Sequence, residues 1–161
     1  MGEFQRGSQE AFTELFLRYR NPIYGFFRRR LSQPARAEEL AQETFLAVVK
    51  AIKRYQPSAR FRTYLYGIAM KLLLAERRKV GRETERVADD VPARSVGPED
   101  ALWIRRAIEA LDPEHREALM LREFEQLSYE EIAALLEIPV NTVRSRLFRA
   151  RTALKDLLVA K

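Results

Sequence analysis

The stretch Leu127–Leu154, LSYEEIAALLEIPVNTVRSRLFRARTAL, constrains this chain more than any other. Ser128 has an N-cap side chain, and Glu131 stands where a capping box needs its carboxylate. Ile132, Leu135 and Leu136 give the following helix one apolar face. Ala133 leaves room for another helix to approach. Pro139 marks a sharp restart, because proline fits the first turn of a helix and not its interior. The second helix sets Val143, Leu147, Ala150 and Leu154 on a buried side, with Arg144, Arg146, Arg149 and Arg151 mostly on the rest. This is the layout of a DNA-binding helix-turn-helix, the second helix sized for a major groove. A solvated basic helix in a bundle is the competing reading.

The 161 residues suit one domain or two small ones. Apolar content of 47% is enough for packed cores, and the net charge of +6 favours a polyanionic partner such as nucleic acid. Cysteine is absent, which excludes a disulfide framework and a thiolate metal site. The beginning MGEFQRGSQEAF has no apolar signal core, and no run approaches the roughly 20 apolar residues of a membrane span. The expected location is the cytoplasm, without membrane insertion.

Helical spacing runs from Ser8 to Lys79. Ser8 is placed to cap a helix carrying Phe12, Leu15, Phe16, Tyr19, Ile23 and Phe27, in which Pro22 should make a kink or a split. Ser32, Gln33 and Pro34 interrupt the pattern. A second helix carries Ala37, Leu40, Ala41, Thr44, Phe45, Val48 and Ile52 as a core stripe. After a loop at Gln56–Arg60, a third carries Phe61, Leu65, Ile68, Ala69, Leu72 and Leu73. Residues 80–98, with glycine, proline and mixed charge, read as a linker too long for an ordinary connection. A second helical unit follows. It has Ala101, Leu102, Ile104, Ile108 and Leu111 on one face, then Asp112 capping a helix with Pro113 in its first turn and Leu119, Met120 and Leu121 inside. The expected fold is all-α, with two small helical domains at 8–79 and 99–158 on a flexible linker at 80–98.

No catalytic set is visible. The single histidine, His115, stands on a polar face, so paired-histidine metal sites are excluded and nothing points to a histidine triad. The six glycines are scattered and form no phosphate loop. No metal and no cofactor is expected. Between Arg54 and Arg78 the aromatics Tyr55, Phe61, Tyr64 and Tyr66 interleave with Arg54, Arg60, Arg62 and Lys71. Rings that stack on bases beside cations that pair with phosphates suit single-stranded nucleic acid, and the loop could shape a pocket for an unstacked base. A core of Phe61, Leu65 and Ile68 with solvated cations accounts for the spacing equally well. Arg28, Arg29 and Arg30 fit a helix C-terminus on dipole grounds. Glu38, Glu39, Gln42 and Glu43 form an acidic patch away from the apolar stripe of their helix. That patch would repel DNA and suits a protein with a basic surface.

The segment AEELAQETFLAVVKAIKRYQPSARFRTYLYGIA resembles region 2 of bacterial sigma factors. Together with the helix-turn-helix, in this order and with no large region between, it resembles a group IV, or extracytoplasmic-function, sigma factor of the sigma-70 family. The resemblance covers about Ser8 to Leu158. It implies a three-helix region 2 bundle, a four-helix region 4 and a non-enzymatic role in promoter-specific transcription initiation. Implied partners are core RNA polymerase, through its β′ clamp and β subunit, promoter DNA and an anti-sigma factor; nothing suggests an obligate homo-oligomer. Glu38, Glu39, Gln42 and Glu43 take the place of the core-binding surface. Arg54, Tyr55, Ser58, Arg60, Phe61, Arg62, Thr63, Tyr64, Lys71, Arg77 and Arg78 fall where the −10 element is melted and captured. Asn141, Thr142, Arg144, Ser145, Arg146 and Arg149 fall on the helix that reads the −35 element.

The chain departs from the family pattern at four positions. Tyr64 stands for a usual tryptophan, Met70 for a common arginine and Lys71 for a common asparagine, all where −10 specificity is set. Glu137 stands for a turn glycine, at a cost on the order of 1 kcal/mol if positive φ is needed there. Two other readings are an anti-sigma decoy and an ordinary helix-turn-helix repressor. A decoy should lose the basic residues kept here at Arg60, Arg62, Arg144, Arg146 and Arg149. A repressor would leave the first domain without a task.

Overall fold

The computed structural model describes residues 9–51, 60–84 and 99–159. Among them are seven helices and no strand: α1 Gln9–Arg30, α2 Pro34–Ala51, α3 Phe61–Thr84, α4 Glu99–Glu109, α5 Pro113–Glu123, α6 Tyr129–Leu136 and α7 Val140–Val159. The chain divides into two compact units, Met1–Val91 and Pro92–Lys161. The first contains α1–α3 and the second α4–α7, so the all-α fold is the one expected.

In the first unit the three helices pack pairwise against one another. The core is Ile23, Phe26 and Phe27 from α1, Leu40, Phe45 and Val48 from α2, and Leu65, Tyr66 and Leu73 from α3, with Ala37, Ala41 and Ala69 at close approaches. The apolar stripe of α2 is buried along its described length. Within it Thr44 is fully buried, and its Oγ1 donates to the Leu40 carbonyl at 2.8 Å, so its hydroxyl is satisfied. Phe26 joins the core through ring contacts to Phe27 at 5.1 Å and Tyr66 at 5.7 Å.

Two expectations need correction here. Pro22 does not split the first helix; it lies inside a continuous α1. Arg18 and Pro22 are both on the exposed side of the helix, where a proline is tolerated best. The third helix also does not stop at Lys79 but continues through Thr84. Arg77, Arg78 and Lys79 are good helix formers, and one glycine at Gly81 costs only about 1 kcal/mol. Ser8, Ile52 and residues 85–98 lie outside the described residues.

The second unit is built around α7, on which α4, α5 and α6 all pack. Leu111, Leu119 and Ala150 form one buried cluster, extended by the half-buried Ala153, Leu154 and Leu157. Asp112 caps α5 as expected, its Oδ1 accepting from the Glu114 amide at 3.0 Å with Pro113 opening the helix. The expected face of α4 is only partly right. Of the expected residues Leu111 is buried and Leu102 and Ile108 are half-buried, whereas Ala101 and Ile104 are exposed; Ala107, which was not expected, is buried. The helix is short, and its spacing alone did not say which edge of the stripe would meet α7. Among the described residues no helix is long and apolar enough to cross a membrane.

Candidate functional site

The helix-turn-helix is set by local hydrogen bonds. Ser128 Oγ accepts from the Glu131 amide at 3.1 Å, and Glu131 Oε1 accepts from the Ser128 amide at 3.3 Å. This is the reciprocal capping box. At the other end of α6, Glu137 adopts a left-handed backbone, φ 57° and ψ 47°, and its amide donates to the Ala133 carbonyl. The Ile138 amide donates to the same carbonyl at 3.0 Å, and the Thr142 and Val143 amides reach Pro139 O at 3.0 and 3.2 Å. The turn between the helices is thereby closed on both sides.

On α7, Val143, Leu147 and Ala150 are buried. Asn141, Arg144, Ser145, Phe148, Arg149 and Thr152 are exposed and follow helical i, i+3, i+4 spacing as one stripe. Thr142 is half-buried beside it. Arg144 Nη1 donates to Asn141 Oδ1 at 2.8 Å, which gives the guanidinium a fixed neighbour at the helix start. Arg146 lies apart from this stripe. Its side chain is only 20% exposed and its Nη2 lies 3.5 Å from Glu114 Oε2 on α5.

Arg151 is also engaged, donating to the Tyr129 hydroxyl at 3.4 Å and to Glu123 Oε1 at 3.3 Å. The Tyr129 hydroxyl first, and Glu123 with it, hold the Arg151 charge more firmly than usual. Arg122 stands 5.3 Å over the Tyr129 ring and donates to the Leu127 carbonyl at 3.0 Å. Sequence reasoning passed over Phe148, which is 71% exposed. The signal was available: an aromatic off the buried spacing, flanked by Leu147 and Arg149. Phe148 lines a shallow pocket of about 450 Å³ with Tyr129, Arg144, Arg151, Thr152 and Lys155.

In the first unit, Glu38, Glu39, Gln42 and Glu43 are all exposed on α2. The same helical stripe continues into Leu46, 57% exposed, and Val49, 45% exposed. These two apolar residues lie off the core spacing, which was the missed sign of a face that is half acidic and half apolar. Arg36 stands among the carboxylates, 2.7 Å from Glu39 Oε2 and 3.7 Å from Glu43 Oε1.

The aromatic-basic candidates divide between two sides of α3. Arg60 just before the helix, then Tyr64, Lys71 and Arg78, share one side by helical spacing. Arg62 is half-buried on the side of Leu65 and Ala69, Thr63 is half-buried near the rim, and Arg77 is exposed but lies round from Arg78. Phe61 packs edge-on against Tyr19 of α1 at 5.7 Å and lies 6.2 Å from Tyr64. Its ring is therefore part of a small aromatic cluster. Arg54, Tyr55 and Ser58 lie outside the described residues.

Two family models match this chain: Sigma-70 region 2 over residues 15–83, and Sigma-70 region 4 over residues 101–154. The chain belongs to the sigma-70 family, in its extracytoplasmic-function branch. This sigma factor thus carries region 2 on α1–α3 and region 4 on α4–α7, and its function is promoter-specific transcription initiation. It is 37% identical to RNA polymerase sigma factor CarQ of Myxococcus xanthus, over 98% of this chain and 95% of the relative. It is 35% identical to RNA polymerase sigma-H factor of Pseudomonas aeruginosa, over 96% and 89%. It is 31% identical to ECF RNA polymerase sigma factor SigW of Bacillus subtilis, over 97% and 93%. The fold is similar to that of the sigma factor RpoE solved with the anti-sigma factor NepR from Bartonella quintana. That match has a TM-score of 0.80 at 24% identity and covers 92% of this chain and 97% of that one. It is also similar to CnrH solved with the cytosolic domain of CnrY, with a TM-score of 0.75 at 24% identity over 99% and 95%.

Proposed function

We propose that this sigma factor docks on core RNA polymerase through the outward face of α2, reads the −35 duplex with the exposed stripe of α7, and holds unwound −10 DNA on the aromatic-basic side of α3. The observation that carries the reading is the α7 stripe. Asn141, Arg144, Ser145, Phe148 and Arg149 present donors, cations and an apolar ring on one continuous exposed face. Arginine forks suit guanine edges or phosphates, and an apolar ring suits a thymine methyl. The half-buried Arg146, paired to Glu114, acts as a brace between α5 and α7 and not as a reader.

On α2, Glu39, Gln42 and Glu43 supply charge for a basic β′ clamp surface, while Leu46 and Val49 supply apolar area beside it. Charge of this kind raises encounter rates and fixes register, and burial of the apolar area adds affinity. For −10 capture, Arg60, Lys71 and Arg78 attract the backbone while Tyr64 and Phe61 offer ring faces. Base stacking in the duplex is then exchanged for stacking on protein, each base contributing about 1–3 kcal/mol. No nucleotide hydrolysis and no catalytic residue is required, and the protein acts in the cytoplasm with the polymerase.

The two solved neighbours, each in complex with an anti-sigma partner, support regulation of this protein by an anti-sigma factor. Such a partner would cover the α2 face and so compete with core polymerase.

Run-off transcription tests the reading, using purified core polymerase and a pool of promoter fragments with and without this protein. Protein-dependent transcripts that share two upstream elements are expected. Absence of transcripts together with absence of core binding would sink it.

A further inference from the structure

We propose that Arg36 is a positioning residue for the docking face of α2, and the proposal rests on the reading that Glu39 and Glu43 meet core polymerase. Arg36 sits in the first turn of α2, and its guanidinium is held from two directions. Nε and Nη2 donate to the two oxygens of Glu76 at 3.0 and 2.8 Å. Glu76 comes from α3 and its side chain is only 8% exposed, so this bidentate pair is anchored in the packed part of the unit. Nη1 faces the other way. It donates to Glu39 Oε2 at 2.7 Å and lies 3.7 Å from Glu43 Oε1.

The buried carboxylate therefore sets the plane of the fork, and the fork sets the two exposed carboxylates. Arg36 engages one oxygen of each, which leaves the other oxygen of each to face a partner's cation. A planar guanidinium holds three carboxylates in this manner; a lysine ammonium is a point charge on a flexible stem and does not. Exposed glutamates lose rotamer freedom when they dock, and holding them beforehand removes part of that cost. A single guanidinium among Glu38, Glu39, Glu43 and Glu76 also leaves the face acidic, so the positioning does not cancel the attraction.

The test is a coupling measurement with full-length protein. Affinity for purified bacterial core RNA polymerase is read by fluorescence anisotropy for the wild type, Arg36→Lys, Glu39→Gln with Glu43→Gln, and all three changes together. Thermal unfolding is recorded for each. Arg36→Lys keeps a cation for Glu76, and Glu76→Gln serves as a second variant that frees the fork from its anchor. Arg36→Lys is expected to weaken core binding roughly five-fold or more, and to have no further effect once Glu39 and Glu43 are glutamine. A loss of the same size in both backgrounds would overturn the proposal, because a purely structural role does not depend on those carboxylates. Unchanged affinity for Arg36→Lys, with a loss for the double glutamine variant, would overturn the positioning role and leave the docking face standing. Unchanged affinity for the double glutamine variant would remove the docking reading itself.

Discussion

Arg146 on α7 and Glu114 on α5 are joined by an ion pair of 3.5 Å across the second unit. The pair draws one arginine out of the basic stripe that the sequence presents. Arg146→Gln is expected to lower stability by about 0.5 kcal/mol, as for a partly exposed pair. It should leave the salt dependence of binding to a −35 duplex unchanged. Arg149→Gln should weaken binding and reduce the salt slope by about 1. Fluorescence anisotropy across a salt series checks this, and an equal drop in slope for Arg146→Gln would place Arg146 on the DNA.

Phe148 and its neighbour Leu147 should respond in opposite ways. Phe148 is 71% exposed and Leu147 is 1% exposed. Leu147→Ala is expected to destabilise by roughly 2–5 kcal/mol through a core cavity. Phe148→Ala should leave stability within about 0.5 kcal/mol but weaken duplex binding. Urea unfolding beside a duplex titration separates the two effects.

Glu137 holds φ 57° in the turn between α6 and α7. A side chain in that conformation is strained, and glycine is not. Glu137→Gly is expected to stabilise by about 1 kcal/mol, without loss of duplex binding. A destabilised variant in thermal unfolding would show that the glutamate side chain contributes more than its backbone costs.

The hydrogen bonds from Arg36 hold the Glu76 carboxyl below its ordinary value of 4.5. A carboxylate with a depressed folded-state value contributes stability above its unfolded value and loses it as pH falls through the folded value. The pair should therefore support the fold at neutral pH and fade below about pH 4.5. Glu76→Gln is expected to destabilise by roughly 2 kcal/mol near pH 7, and the gap to wild type should shrink as acid protonates Glu76. Urea midpoints between pH 7 and pH 3 check the sign.

The parts of this protein that depend on near neighbours in the chain were legible without a structure. Ser128, Glu131, Asp112, Pro113 and Pro139 announce helix ends because capping involves residues within one turn of one another. Glu137 was marked as a strained position only by the turn glycine that the family pattern has there. The α2 stripe was legible because burial against two helices imposes its spacing directly on the residues. Pro22 left a kink and a split both open; the helix is not split, because Pro22 stands on its exposed side, and only the packed helix says which side that is. Ile104 misled because a short helix leaves several apolar edges open.

By itself the sequence determined the seven helical segments' character, the caps, the basic recognition helix and the acidic start of α2, all of them consequences of local periodicity and backbone chemistry. The tertiary structure decided which charges are available. Arg146 goes to Glu114 and Arg36 goes to Glu76, partners far away in sequence that meet only when helices pack. It also left Phe148, Leu46 and Val49 outward, since a helix face counts as exposed only once its neighbours have taken their places.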